Sequence, residues 1–379
     1  MIFWISAIVF INGIVSFIYS LQTTQETTRL WAVLAVNFLF YAGITQTGIL
    51  FSAFMRISKS QWGRHFSKLG EILTLSFIPV AFITFIIIYV GGVDDLFYWS
   101  PENPAYAHIE YLSPWLGKGL FFWKNIIAMT LFYIISYIYF RIGRMEDRRP
   151  EGPHLTKKYD ITKSINVFAV LVMFFYVLVN TFSAWDFGMM IIPHWESSIF
   201  PPYFWTGNIL LGAASLFLVS IFFMPRPQDE GIYKEYLDST GKLLIGLVLL
   251  WVYMFWSQYV VLWYVDLPAR TAPLFKQMEG NYNHIFILMM LTIAVLPFLG
   301  LIFRRLKLSV VFLAVIAVLI CVGVWLNRYL MVLPVFSDGS ERVIMTWTNI
   351  SLIFGGLAAM ILSLIVFLRL FPGVKTVPE

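Results

Sequence analysis

The sequence predicts an all-α integral membrane protein of about ten transmembrane helices. Three observations predict it. Ten runs are long and apolar enough to cross a bilayer, which takes ~20 mostly apolar residues per helix. Only 12% of the 379 residues are charged and 59% are hydrophobic, against roughly 25% charged in a soluble domain. The basic residues also fall mostly on one set of alternating loops.

The runs lie at about 2–20, 30–55, 70–90, 119–140, 163–185, 202–224, 242–264, 283–303, 308–330 and 345–369. The first has no basic stretch before it and no small-residue cleavage pattern, so it reads as a retained helix rather than a signal peptide. With odd loops on one side, and even loops and termini on the other, nineteen of the 26 basic residues fall on the even side. By the positive-inside rule that side and both termini are cytoplasmic, and the odd loops face outward. The net charge of +5 is then a topology signal and does not imply nucleic acid. The basic stretch 141–163 is a topology anchor. Mixed charges over 224–241 predict a short amphipathic surface helix. The outer loop 91–118 carries Asp94, Asp95, Glu102 and Glu110 among aromatics, as a docking surface, a lid or an ordinary interfacial loop would.

Function is sought where ionisable groups meet lipid, because they are costly there. The stretch 183–200 places Asp186, His194 and Glu196 between two apolar runs. Pro193 stops a helix, and Trp185 and Trp195 suit an interfacial turn. His titrates near neutral pH, and a carboxylate and an imidazole could serve quinol oxidation as proton acceptors and ring-oxygen partners. Trp185, Trp195, Phe187 and Phe200 could line a slot for the ring. Against this, Asp186 could salt-bridge locally while the tryptophans form an aromatic belt.

Other polar groups lie within or beside the runs. Gln46, Glu71, Lys124, Gln258 and Arg328 are candidates for a proton half-channel. The alternative is interhelical hydrogen bonding, worth about 0.6 kcal/mol per bond. Lys124 and Arg328 are expected to pair with Asp186, Asp266 or Glu279. Asp266, Pro268 and Arg270 make a rigid outer turn after the seventh run, and His284 lies at the start of the eighth. Trp185, Trp195, Glu196, Asp266, Arg270 and His284 complete the candidate ligand-binding set.

Several chemistries are excluded. The single cysteine, Cys321, rules out an in-chain disulfide, a Cys-ligated iron–sulfur cluster and a CxxCH haem attachment. None of the five histidines falls mid-bilayer, which argues against a diheme cytochrome b. No metal site and no covalent cofactor is expected.

The ordered motifs resemble a known family. Asp186-Phe-Gly-Met189, Pro193-His194-Trp195 and Ser197-Ser198-Ile-Phe200 resemble a DW-x-MS-x-x-PHWYSTIF signature. Arg29 to Asn37, then Trp62-Gly-Arg64 and Glu71, are similar to its second helix and the stretch after it. Trp256-Ser-Gln258-Tyr-Val-Val-Leu-Trp263-Tyr with Pro268, and Arg328-Tyr-Leu-Met-Val-Leu-Pro334, resemble FSQYLIIWY…P and ERYLLVLP. The set looks like the second large membrane subunit of alternative complex III, a quinol:electron-acceptor oxidoreductase, within the NrfD/polysulfide-reductase-like family. Five positions depart from it. Ile192 stands where a second acid is common, Glu196 replaces a tyrosine, Trp256 a phenylalanine, and Ala269-Arg270 an acidic pair.

The resemblance implies two antiparallel four-helix bundles plus two flanking helices. The divisions are then 1–29 (first helix and outer loop), 30–185 (first bundle), 186–201 (outer turn), 202–330 (second bundle) and 331–379 (outer loop, last helix and tail). It implies a bacterial inner-membrane protein, menaquinone or ubiquinone as the mobile carrier, and as partners a sister membrane subunit, a periplasmic iron–sulfur subunit and c-type cytochromes. The expected function is a membrane subunit of a quinol-oxidising respiratory complex with a quinone or proton site at the periplasmic side. The alternative is a purely structural anchor for the periplasmic subunits.

Overall fold

The computed structural model describes residues 1–24, 27–60, 62–108, 114–147, 155–193, 195–223, 230–265, 267–337 and 346–371. Among them are ten helices long and apolar enough to cross a membrane. We number them α1 (Ile2–Thr23), α2 (Thr27–Ile57), α3 (Ser67–Leu96), α4 (Lys118–Glu146), α5 (Ile161–Met189), α6 (Phe200–Phe223), α7 (Tyr233–Tyr264), α8 (Gly280–Ile302), α9 (Val310–Phe336) and α10 (Trp347–Leu370). No strand occurs among the described residues.

Helices α2–α5 close one antiparallel four-helix bundle and α6–α9 a second, joined by α2 and α5 against α6 and by α2 against α9. Helix α10 packs on α2 and α3, and α1 packs chiefly on α10, so both flanking helices lie on one side. We call the end holding the start of α1 the terminal end and the other the distal end. Helix α2 is the hub, with 94% of its apolar window buried. Its residues are mostly apolar or small all round, with Asn37 and Gln46 among the buried exceptions, as suits a helix enclosed by others.

Lipid tails are as apolar as leucine, so helices associate here by close packing and polar contacts. Gly48 of α2 and Gly70 of α3 show the first device, since a Cβ on either would collide with the other's backbone carbonyl. Thr74 shows the second: its hydroxyl donates to the Thr45 carbonyl at 2.5 Å and accepts from the Ile49 amide at 2.9 Å. Helix α3 breaks at Phe77, because Pro79 removes a backbone donor there.

Two expectations change. No separate surface helix forms over the described part of 224–241, because residues from Glu230 run straight into one helix ending at Val265. Glu230–Lys234 and Asp238–Lys242 pair one turn apart and carry the helix through Gly241. Helix α5 also passes the expected boundary at 185 and ends in a π-helical turn, Trp185–Met189. Asp186 therefore lies inside the helix end, ahead of the turn that Pro193 makes.

Candidate functional site

The first cluster sits where α4 and α5 meet at the distal end. Lys124 and Asn125 occupy the second turn of α4 and Asp186 the π-turn of α5. Lys124 Nζ donates to Asp186 Oδ1 at 2.6 Å, and Asn125 Nδ2 to Oδ2 at 2.5 Å. Asp186 is 1% exposed and Lys124 8%, so this ion pair is withdrawn from solvent. A π-turn often marks a functional position. Here it turns Asp186 inward, while Phe187 and Gly188 are buried beside it.

The loop before α4 folds over this pair. Trp99 is buried and donates its indole N–H to the Met190 carbonyl at 3.1 Å. The Trp115 ring lies 4.8 Å from Lys124 Nζ and edge-on to Trp185 at 6.2 Å. Lys118 ties the loop to Asp94 and Glu102, and its ammonium holds the Glu102 carboxyl below the usual range. Both oxygens of Asp186 are thus occupied by side chains, under an aromatic cover.

Towards the terminal end, one side of α4 stays buried. Asn125, Met129, Phe132, Ser136 and Tyr139 recur every three or four residues and are all buried, which places them on one side of the helix. The Tyr139 and Ser52 hydroxyls lie 3.0 Å apart, and Ser52 donates to Glu71 at 2.5 Å. Arg56 pairs with Glu146 at 2.6 Å beside them. Between these groups and Asp186, the Ser136 hydroxyl has no partner among the described residues, and the Tyr133 hydroxyl reaches toward the Gln46 amide without closing a hydrogen bond. From Asn125 to Tyr139 the face covers ~21 Å at 1.5 Å per residue.

The second cluster surrounds Arg328, which is fully buried. Its Nη2 donates to the Phe204 carbonyl at 2.7 Å and Asn208 Oδ1 at 2.9 Å, and its Nη1 to Asn327 Oδ1 at 3.1 Å. Its Nε has no partner, and the guanidinium carbon lies 3.8 Å from the Phe204 ring centroid. Among the described residues it makes no ion pair with a carboxylate, contrary to expectation; it points at α6 instead. Gly207 makes the space, since a Cβ there would lie 2.9 Å from Nη2. Asn208 Nδ2 donates to Asn180 Oδ1 at 2.7 Å, and Asn180 Nδ2 to Gln46 Oε1 at 3.2 Å. A directed row of donors therefore runs from Arg328 through α6 and α5 to α2.

The remaining sequence candidates are placed as follows. Trp185 is half-buried, Trp195 is buried edge-on to Phe200 at 5.1 Å, and Glu196 and His284 are exposed. Gln258 accepts from Ser197 at 2.7 Å, and its Nε2 has no partner. His194 and Asp266 lie outside the described residues, as does the Arg270 side chain. The structure thus brings together Asp186 and Lys124, and separately Arg328 and Gln46. It adds Asn125, Asn180, Asn208, Tyr139 and Ser52, which sequence reasoning left as packing groups or did not name.

Comparison with curated proteins returned no match. Residues 21–337 match the family described as polysulphide reductase, NrfD. That stretch holds both bundles and both buried clusters, and the chain belongs to the polysulphide reductase, NrfD family, integral membrane subunits of quinone-linked oxidoreductase complexes.

Proposed function

We propose that the chain is the second large membrane subunit of a quinol-oxidising complex of the alternative-complex-III type, and that its first bundle conducts protons towards Asp186. Members of the family work with iron–sulfur and other redox subunits. On this reading the chain joins a sister membrane subunit, a periplasmic iron–sulfur protein and c-type cytochromes in a bacterial inner membrane. Its distal end faces the periplasm, in line with the basic loops at the terminal end.

The observation that carries the reading is the buried pair Lys124–Asp186 at one end of a buried side of α4 that includes Ser136 and meets Tyr139, Ser52 and Glu71 at the other end. A buried hydroxyl without a protein partner, as at Ser136, is where internal water bonds. A proton reaching the Asp186 carboxylate neutralises it and releases Lys124. The ammonium then gives up its own proton to water at the distal surface beside the partly exposed Trp115, and transfer from Asp186 to Lys124 restores the pair. One proton enters and one leaves.

A quinone ring does not fit at Asp186. Both carboxylate oxygens are bonded to side chains and Trp115 covers the ammonium. No step here is therefore routed through menaquinone or ubiquinone, and quinol oxidation is assigned to the sister subunit.

The test is Asp186→Asn in the intact complex, with quinol turnover and proton release measured together. The expected result is fewer protons released per quinol. Unchanged turnover and unchanged release would remove the chemical role. That outcome would leave the second reading, an anchor for the periplasmic subunits, which the full satisfaction of Asp186 by its neighbours favours.

A further inference from the structure

Helix α1 is held on one face only. Ser6, Gly13, Phe17 and Ser20 are buried. Gly13 lets the backbone approach Gly355 of α10, and the Ser20 and Thr348 hydroxyls lie 2.6 Å apart. Well round the helix, Ile5, Ile8, Asn12, Val15 and Tyr19 are all exposed. Their spacing alternates three and four residues, the pattern that makes a seam for one partner helix in a left-handed pair.

Asn12 separates this face from ordinary lipid-facing surface. It lies at the middle of α1, ~15 Å from either end at 1.5 Å per residue, which is the centre of a ~30 Å hydrocarbon core. Its carboxamide is exposed and makes no hydrogen bond to a described residue. The amides of Asn37, Gln46, Asn180, Asn208 and Asn327, also inside spans, are buried. A carboxamide in hydrocarbon calls for a partner, and in membranes such groups bond across helices. A single asparagine in an apolar heptad seam also fixes the register of the partner.

We infer that the Ile5–Ile8–Asn12–Val15–Tyr19 face of α1 docks one transmembrane helix of a different subunit, which offers an amide or hydroxyl side chain level with Asn12. A second copy of this chain fits less well. Two copies in one membrane would set α1 parallel to itself, and the bulky Tyr19 would face Tyr19 in a layer equivalent to that of Asn12. The inference rests on the membrane-subunit reading above and adds the surface and the chemistry of the contact.

Photo-crosslinking in native membranes tests it, with the full chain expressed beside its own partners. A benzophenone amino acid is placed at Ile8 or Val15, and at Val311 of α9, 73% exposed, as the lipid-facing control. The expected product from Ile8 and Val15, absent from Val311, is a link to a second membrane polypeptide. Mass spectrometry should place it in a transmembrane helix with Asn, Gln, Ser or Thr at that level. Asn12→Leu should cut the yield at least threefold, and Asn12→Gln should keep at least half. If other membrane polypeptides co-purify but both probes link only lipid, or only a second copy of this chain, the docking inference is overturned. If no other membrane polypeptide co-purifies, the membrane-subunit reading fails and takes the inference with it.

Discussion

The two bundles each bury a cation, and they treat it in opposite ways. In the first, Lys124 lies 2.6 Å from the Asp186 carboxylate. In the second, Arg328 is bonded to the oxygens of Phe204, Asn208 and Asn327, and no carboxylate among the described residues pairs with it. Lysine can lose its proton in a desolvated site, and aspartate can gain one. Arginine stays charged. The first cluster can therefore change its protonation state, while the second is a fixed charge whose field runs along the Asn208–Asn180–Gln46 row. On the proposed function, the first cluster exchanges protons while the second supplies a fixed positive charge beside it.

The largest expected effect comes from breaking the ion pair on one side. Asp186→Leu leaves Lys124 buried without its counter-ion, which should cost about 3–5 kcal/mol of stability. Adding Lys124→Met should recover most of the loss, since an apolar pair of similar volume replaces a buried ion pair at little net cost. Thermal unfolding of the purified protein in detergent reads both. A single variant as stable as the parent would mean that Lys124 reaches solvent or another acid, and the contrast between the bundles would fail.

Arg328→Met comes next. Each charge-assisted hydrogen bond contributes about 1.5–3 kcal/mol, but the orphaned amides of Asn208 and Asn327 can re-pair locally. A net loss of about 2–3 kcal/mol is expected, with no single second-site change that restores it, because no one partner carries the opposite charge. Full rescue by neutralising one acidic residue would reveal a hidden counter-ion and erase the distinction drawn above.

Gly48→Ala probes the scaffold that both clusters share. A methyl group there meets the Gly70 carbonyl, and overpacking of this kind costs about 1–3 kcal/mol. Because α2 touches both bundles, the variant should lower the stability of each cluster together. A stability unchanged within error would show that α2 and α3 can separate freely.

Much of this was legible in the sequence, and the limits have physical causes. Ten apolar runs and a lopsided distribution of basic residues are enough for the spans, because lipid leaves a chain little choice but helices. That Lys124 would meet one of three acids also followed, since both ends of the pair fall at the same side. Which acid it meets depends on the rotation of α4 and α5 about their axes, which hydropathy does not carry. The end of α5 was misplaced because Pro193 marks where a helix must have stopped, while the π-turn that carries Asp186 precedes it by several residues. Arg328 was expected to pair with an acid, and nothing in the sequence shows that Gly207 opens a space for it inside. Nothing marks Ser136 in the sequence: a serine in a membrane helix commonly bonds its own backbone, and only the folded neighbourhood leaves its hydroxyl without a partner.

Ser136 also yields the smallest expected effect and the sharpest test of the difference between the bundles. The side chain is fully buried and its hydroxyl bonds no group among the described residues, so Ser136→Ala removes no hydrogen bond seen there. Its effect on stability should stay within about 0.5 kcal/mol. If the hydroxyl holds water between Tyr139 and Asp186, the same substitution interrupts the route, and proton release should slow severalfold while quinol turnover at low membrane potential stays near normal. Asn208→Ala, in the fixed-charge bundle, should do the reverse: lower stability through the lost contacts to Arg328 and Asn180, with a smaller effect on proton release. Paired measurements of melting temperature and proton release on the two variants decide the matter. Equal behaviour of the two, in either direction, would mean that the bundles do not divide the work between a titrating face and a standing charge.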